Sequence, residues 1–423
     1  MGRIIIVTGK GGVGKTSVAA AHAVQSAREG RNTLLVSADM AHNLGDIFMT
    51  GADGEVREIA PCLSILELDP YLLMRTEYPQ INRTIGNLSG SAGLAVGQVG
   101  DTYMIPGLEN LFSLLKIRDL FLENRYERII VDCAPTGETL SLLKLPELLS
   151  WYVEKFAPVG RIMTRVLTPV ARLRYRMELP DTEAMDEFGE VYRKLVKLQN
   201  LLKDPEITRV RLVCIPERMV VEETRRSFMY LNLYNYAVDA VFINRILPDG
   251  TGSSFMDRWQ EIQKGYIAEL ESVFTGLPVT KIRWFPEEIR GMEAVEKLCG
   301  EVFSGVDLFS LPVRQDNEVY TAIEGGYSLT VRIPGAEEEQ VRIFPREMDL
   351  DIRIRNYVRS IPLPGVLRGA QVTGTRIENG TLTVSFRTRS GEGTAAGGPQ
   401  PGEAEPGPGK PGDKTGGKAG AGR

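Results

Sequence analysis

The densest chemistry in the chain lies in Gly9-Lys10-Gly11-Gly12-Val13-Gly14-Lys15-Thr16, followed by Ser17. This is the spacing G-x-x-x-x-G-K-[ST], set between an apolar run, Ile4–Thr8, and a helical pattern that starts at Lys15. Glycines let successive backbone N–H groups converge on phosphate oxygens, and the start of a helix adds partial positive charge. Lys15 is expected to reach the β- and γ-phosphates of ATP, and the Thr16 hydroxyl to ligate Mg²⁺. Lys10 is a second cation in the same loop. Phosphoryl transfer to water also needs a group that orients the water and a carboxylate near the metal. Asp39 follows the apolar run Thr33–Ser37, and Asp132 ends Ile129–Val131. We expect Asp39 to act as water-positioning group or general base, and Asp132 to hold Mg²⁺ through water. An N-cap is the other role open to an isolated aspartate. Two of them at strand ends beside a phosphate loop favour the chemical one. The only histidines are His22 and His42, and His42 is expected to shape its loop rather than move protons.

The elements that must position these residues follow from patterning. From residue 1 to about 310, β-branched runs alternate with longer helical patterns, the layout of an α/β parallel sheet. Ile4–Thr8, Thr33–Ser37, Ile129–Asp132, Arg211–Ile215 and Val238–Asn244 read as buried strands, and Lys15–Glu29 as a helix stopping before Gly30. In such a sheet ligands sit beyond the carboxyl ends of the strands, where the phosphate loop and both aspartates fall. Residues from about 150 to 205 read as a helical insertion rich in leucine, methionine and arginine. From about 318 to 388 the period changes to two, with an Asn379-Gly380 hairpin signal, which predicts a small all-β unit. Residues 389–423 carry no large apolar side chain, so disorder is expected there.

The 423-residue chain has a formal charge of −5 and 43% hydrophobic residues, an ordinary globular balance that argues against nucleic acid as partner. Cys62, Cys133, Cys214 and Cys299 form no C-x-x-C pair, so a reducing cytoplasm is expected and zinc is not. No run is long and apolar enough to insert stably in a membrane.

These motifs resemble the ArsA and tail-anchored-protein-targeting ATPases, a family with a deviant phosphate loop. The matching stretches are Gly9–Thr16, Asp39–Leu44, and Asp132–Leu140, and the likeness spans residues 1–305. The resemblance implies that Lys10 reaches across a dimer interface to the partner's γ-phosphate. It also implies that Glu217, in Cys214–Glu217 followed by Glu223-Thr224, contacts nucleotide. Asn244 would read adenine, and Pro286–Gly291 would close the base pocket. Met40 stands where the family has proline. With one phosphate loop per chain, the resemblance implies a homodimer. Residues 318–388 resemble an α-crystallin-type small heat-shock sandwich, on Ile333-Pro334-Gly335 through Glu339 and Gly380–Val384.

In the targeting relatives, helices corresponding to residues 150–205 hold hydrophobic or transmembrane client segments. Here that stretch contains Trp151, Phe156, Met163, Met177, Phe188, Leu195 and Leu198. Flexible methionine and leucine suit a client surface, but the same spacing also serves an ordinary helical core. An arsenite-stimulated pump subunit and a nucleotide-sensing holdase are the alternative readings of the whole chain.

Overall fold

The computed structural model describes residues 3–39, 44–51, 54–83, 97–99, 102–104, 109–134, 182–249, 253–305, 307–312, 317–355 and 357–387. The expectations for Met40 and His42, for 135–140, for the client segment up to residue 181, and for the tail 389–423 lie outside these residues.

Ten strands precede residue 300 among the described residues: β1 (Arg3–Thr8), β2 (Thr33–Ser37), β3 (Arg57–Ala60), β4 (Leu63–Glu67), β5 (Gly97–Val99), β6 (Thr102–Met104), β7 (Arg128–Asp132), β8 (Thr208–Cys214), β9 (Val238–Ile246) and β10 (Val279–Arg283). Eight of them form one sheet in the order β10-β9-β8-β1-β7-β2-β4-β3. Every neighbouring pair is parallel except β3 with β4. β1, β2, β4 and β8 are buried along essentially their whole length, which is why they read as continuous apolar runs rather than alternating ones. The expected strands all form, with β8 starting at Thr208 and β9 running on to Ile246. β4 and β10 are further parallel members of the sheet that the sequence reading did not name.

The helix Lys15–Arg28 crosses one face of this sheet and ends as its composition predicts. Gly30 takes φ 74°, Arg31 N–H donates to Ser26 O and Gly30 N–H to Ala27 O. That left-handed cap satisfies carbonyls the helix cannot. Among the client-segment residues, the described part is the helix Thr182–Lys203. Leu195 and Leu198 are fully buried there, and Arg118 donates to the Lys194 carbonyl at 3.3 Å. At these two positions the apolar pattern is core and not groove.

The C-terminal strands form two antiparallel sheets. β11 (Glu318–Ile323), β12 (Gly326–Arg332), β16 (Gln371–Glu378) and β17 (Thr381–Arg387) pair in the order β11-β12-β17-β16, and β13 (Val341–Pro345), β14 (Asp349–Ile354) and β15 (Tyr357–Pro362) form the other. Leu329, Val331, Leu350, Ile352, Leu382, Val384 and Phe386 fill the interior between them. The Asn379-Gly380 signal holds: φ is 48° and 68° at the two residues, and Glu378 pairs with Thr381 across a two-residue turn.

This β unit is fastened to the parallel sheet in two places. The connecting strap is gripped by three arginines: Arg3 donates to Phe309 O at 2.5 Å, Arg209 to Leu311 O at 2.7 Å, and Arg211 to Leu308 O. Arg211 also holds Asp239 bidentately at 3.0 and 3.2 Å, and Arg128 stacks over the Phe309 ring at 3.8 Å. Arg209 and Arg211 are thus paired with Asp239, although one nitrogen of each guanidinium is left without a hydrogen bond. The second attachment is the far end of the helix Arg218–Leu233. Arg359 donates to Leu233 O, Tyr234 Oη donates to Val358 O at 3.0 Å, and the Tyr230 and Tyr357 rings lie 3.6 Å apart.

Candidate active site

The central strand β1 delivers the phosphate loop to the carboxyl edge of the sheet. Gly9 leaves that strand so close to β8 that a Cβ would overlap the Val213 carbonyl oxygen. Gly14 has φ 96°, and a Cβ there would overlap the Asn244 side-chain amide. These two contacts explain why the loop must be glycine at both positions. Gly9→Ala is accordingly expected to displace the loop and abolish binding of a fluorescent ATP analogue. Wild-type affinity in a titration would show that the loop accommodates the methyl group. The helix that follows has no side-chain cap on its first turn, so its leading amides depend on partners from outside the helix. Lys15 is buried, and its Nζ donates back to the Lys10 carbonyl at 3.4 Å.

Asp132 enters from β7, directly beside the loop. It pairs in register with Val7 of β1 on one side and Ser37 of β2 on the other. Ala38 N–H donates to its carbonyl at 2.9 Å, which joins the two strand ends. The carboxylate is completely buried, and neither oxygen has a hydrogen-bond partner of good geometry. Burial pushes its pKa up to about 7, with the Asp39 charge adding to the rise; the Thr16 hydroxyl and Lys15 ammonium oppose it without satisfying the group. An unsatisfied buried carboxylate next to a hydroxyl and a lysine fits a hard divalent cation held by few protein oxygens and otherwise by phosphate and water. Asp39 sits half-buried at the end of β2, and its amide donates to Ser37 Oγ at 3.3 Å. The structure thus gathers Gly9–Ser17, Asp39 and Asp132 along one edge.

Asn244 and Pro286 meet there as well. Asn244 Nδ2 donates to Val13 O at 2.9 Å. Both residues line a cavity of 330 Å³ with Gly14, Ser17, Phe285 and Ile289. Nothing in the local sequence around Asn244 announces its seat against the loop; the signal came from the motif resemblance. Glu217 is different. It is exposed at the N-cap of the helix Arg218–Leu233, with its side chain making no capping bond, and it does not line that cavity. Glu223, in the first half of the same helix, approaches the loop: its Oε2 lies 4.0 Å from Lys10 Nζ. His22 is fully buried, and burial foremost, with Arg211 second, lowers its pKa well below the usual value, so it stays neutral in the core.

One residue was not anticipated. Glu67 at the end of β4 is buried, pairs in register with Ser37, and accepts hydrogen bonds from Leu44 N–H at 2.8 Å and Gly45 N–H at 3.1 Å. Its presence at the edge depends on β4 lying beside β2, which spacing alone does not reveal.

Known proteins share this arrangement over most of the chain. The family described as anion-transporting ATPases matches residues 2–304, and the HSP20-like domain found in ArsA matches 324–386. A protein of Aquifex aeolicus provisionally named arsenical pump-driving ATPase 1 is 29% identical over 90% of this chain and 99% of its own length. A counterpart in Chlorobaculum tepidum, provisionally named arsenical pump-driving ATPase, is 31% identical over 91% of this chain and 96% of its own. The ATPase GET3 of Pyricularia oryzae is 32% identical over 70% of this chain and 88% of its own. With a family model covering most of the chain and a second covering the C-terminal strands, the chain belongs to the ArsA family of ATPases and carries that family's HSP20-like domain after its ATPase region.

Proposed function

We propose that the protein is a cytoplasmic, Mg·ATP-hydrolysing homodimer whose nucleotide state controls the binding of hydrophobic or transmembrane protein segments. The observation that carries the nucleotide part is the meeting of the phosphate loop, Asp39 and the unsatisfied Asp132 at adjacent strand ends. In this reading Gly9–Ser17 cradles the triphosphate, and Asn244 and Pro286 hold the base. Thr16 and Asp132 hold Mg²⁺, which when bound neutralises charge on the β- and γ-phosphates. Asp39 orients the attacking water and accepts its proton. Lys15 and the partner's Lys10 stabilise charge on the departing phosphoryl group. Glu217 contacts the nucleotide in this reading, and Glu223 lies 4.0 Å from Lys10 on the same helix. The ATPase region is taken as 1–310 with a helical subdomain at about 150–205, the sandwich as 318–388, and the tail as 389–423.

The cysteines favour a protein client over a metalloid. Cys133, Cys214 and Cys299 are buried and all four thiols are free. Burial pushes the Cys214 thiol up to about 12 and the Cys299 thiol up to about 11. Protonated thiols seated in the core are poor metalloid ligands. The test is capture with an Asp39→Asn trap. Turnover is expected to fall by about 10²- to 10⁴-fold, and in Mg·ATP the variant should retain a transmembrane peptide but not a polar one. Equal retention of both peptides would sink the client reading, while acceleration of the wild-type ATPase by arsenite would favour the pump reading.

A further inference from the structure

We propose that Glu67 is the positioning residue for Asp39, holding the chain at Leu44 and Gly45 so that the aspartate is kept at the phosphate loop. The inference rests on the reading of Asp39 given above. It starts from a row of register-paired residues across the carboxyl edge: Val7, Asp132, Ser37 and Glu67 stand side by side on β1, β7, β2 and β4. Asp39 follows Ser37 by two residues, and Leu44 opens the short helix Leu44–Phe48. Both are tied to members of the row. Asp39 N–H donates to Ser37 Oγ at 3.3 Å. Leu44 and Gly45 N–H both donate to one oxygen of Glu67, Oε1. Leu68 N–H donates to Ser37 O at 3.0 Å, so the two anchors are themselves joined.

The short helix Leu44–Phe48 extends the connection to the base cavity. Gly291 N–H donates to Ile47 O at 2.7 Å, and Gly291 ends the Pro286–Gly291 segment whose residues wall that cavity. Glu67 therefore fixes the start of a short helix whose last turn meets Gly291. A charged acceptor suits the task, because two backbone donors on one carboxylate make a strong, direction-setting pair of bonds. Glu67 touches no reacting atom in this account; it acts through Asp39. Removing it leaves the phosphate loop, the base cavity and Asp132 in place, so the loss should fall on turnover and not on nucleotide affinity.

The experiment is steady-state ATP hydrolysis by the full-length chain carrying Glu67→Ala, Glu67→Asp or Glu67→Gln, with Asp39→Asn alongside. Glu67→Ala and Glu67→Asp are expected to lower kcat about 10- to 100-fold while KM for ATP stays within about threefold. Glu67→Gln, which keeps an acceptor oxygen at the same reach, should retain most of the turnover. If Glu67→Ala does not fold, the contrast between the aspartate and glutamine variants decides. The proposal is overturned if the aspartate and alanine variants turn over as wild type while Asp39→Asn is inactive. It is equally overturned if KM rises and melting temperature falls at constant kcat, which would make Glu67 a plain helix cap. Should Asp39→Asn itself remain active, the reading of Asp39 fails and the Glu67 proposal falls with it.

Discussion

Lys10→Ala is expected to cut ATP turnover by about 10³-fold or more, the effect of removing a cation that reaches the transferred phosphoryl group from a neighbouring subunit. KM for ATP should change little, because Lys15 and the loop amides remain. In the structure Lys10 stands at the mouth of its own loop, partly exposed and 4.0 Å from Glu223, so it is held loosely enough to leave. A mixing experiment separates action across an interface from action within one chain. In a heterodimer of Lys10→Ala and Asp39→Asn subunits, one of the two sites is complete: an intact Asp39 in one chain faces an intact Lys10 from the other. Statistical mixing makes half the dimers mixed, each with one working site, so activity should recover to about a quarter of wild type. No recovery would show that Lys10 serves its own chain's nucleotide.

Asp132→Asn should have two large and opposite effects. In the wild-type protein without metal, the carboxyl keeps its proton up to about pH 7, whereas the unfolded chain releases it near the ordinary 3.8. Between those values the folded form binds more protons than the unfolded form. Stability then falls as pH rises through that window and levels off above it. The difference is about three units, or about 4 kcal/mol at pH 8. Asparagine removes that burden, less roughly 1–3 kcal/mol for burying an amide without full hydrogen bonding. Thermal melts in EDTA should therefore show a higher Tm for the variant at pH 8, and a shrinking difference toward pH 5. Turnover should fall on the order of 10²- to 10³-fold, the scale of removing one preorganised charge-stabilising group. A variant melting below wild type at pH 8 would mean that the carboxylate is satisfied in the folded state. The site would then gain nothing from the cation that Asp132 is thought to await.

The parts of this site that were legible beforehand are those the chain writes contiguously. Gly9–Ser17 carries its own context, a strand before and a helix after. Asp39 and Asp132 were readable because each closes a buried apolar run, and the carboxyl edge of a parallel sheet is one place. Residues that matter through adjacency were not legible in the same way. Glu67 acquires its meaning only when β4 is laid beside β2, although 25 residues come between the two strands. Leu195 and Leu198 show the opposite difficulty, because one apolar stripe serves equally for a client groove and for a core. Burial decided it. Glu217 is assigned to the nucleotide by motif likeness alone, and the fold places it exposed at the start of the helix that carries Glu223.

The helix Arg218–Leu233 spans 16 residues, about 24 Å of stiff rod. Glu223, in its first half, faces Lys10, and its last turn is bonded to β15 through Arg359 and capped by the stacked Tyr230 and Tyr357. A tilt of about 5° pivoting near the loop would swing the far end by about 2 Å, and the sandwich, pinned to that end, would have to travel with it or break those bonds. One helix thus borders the phosphate loop in its first half and the sandwich at its last turn.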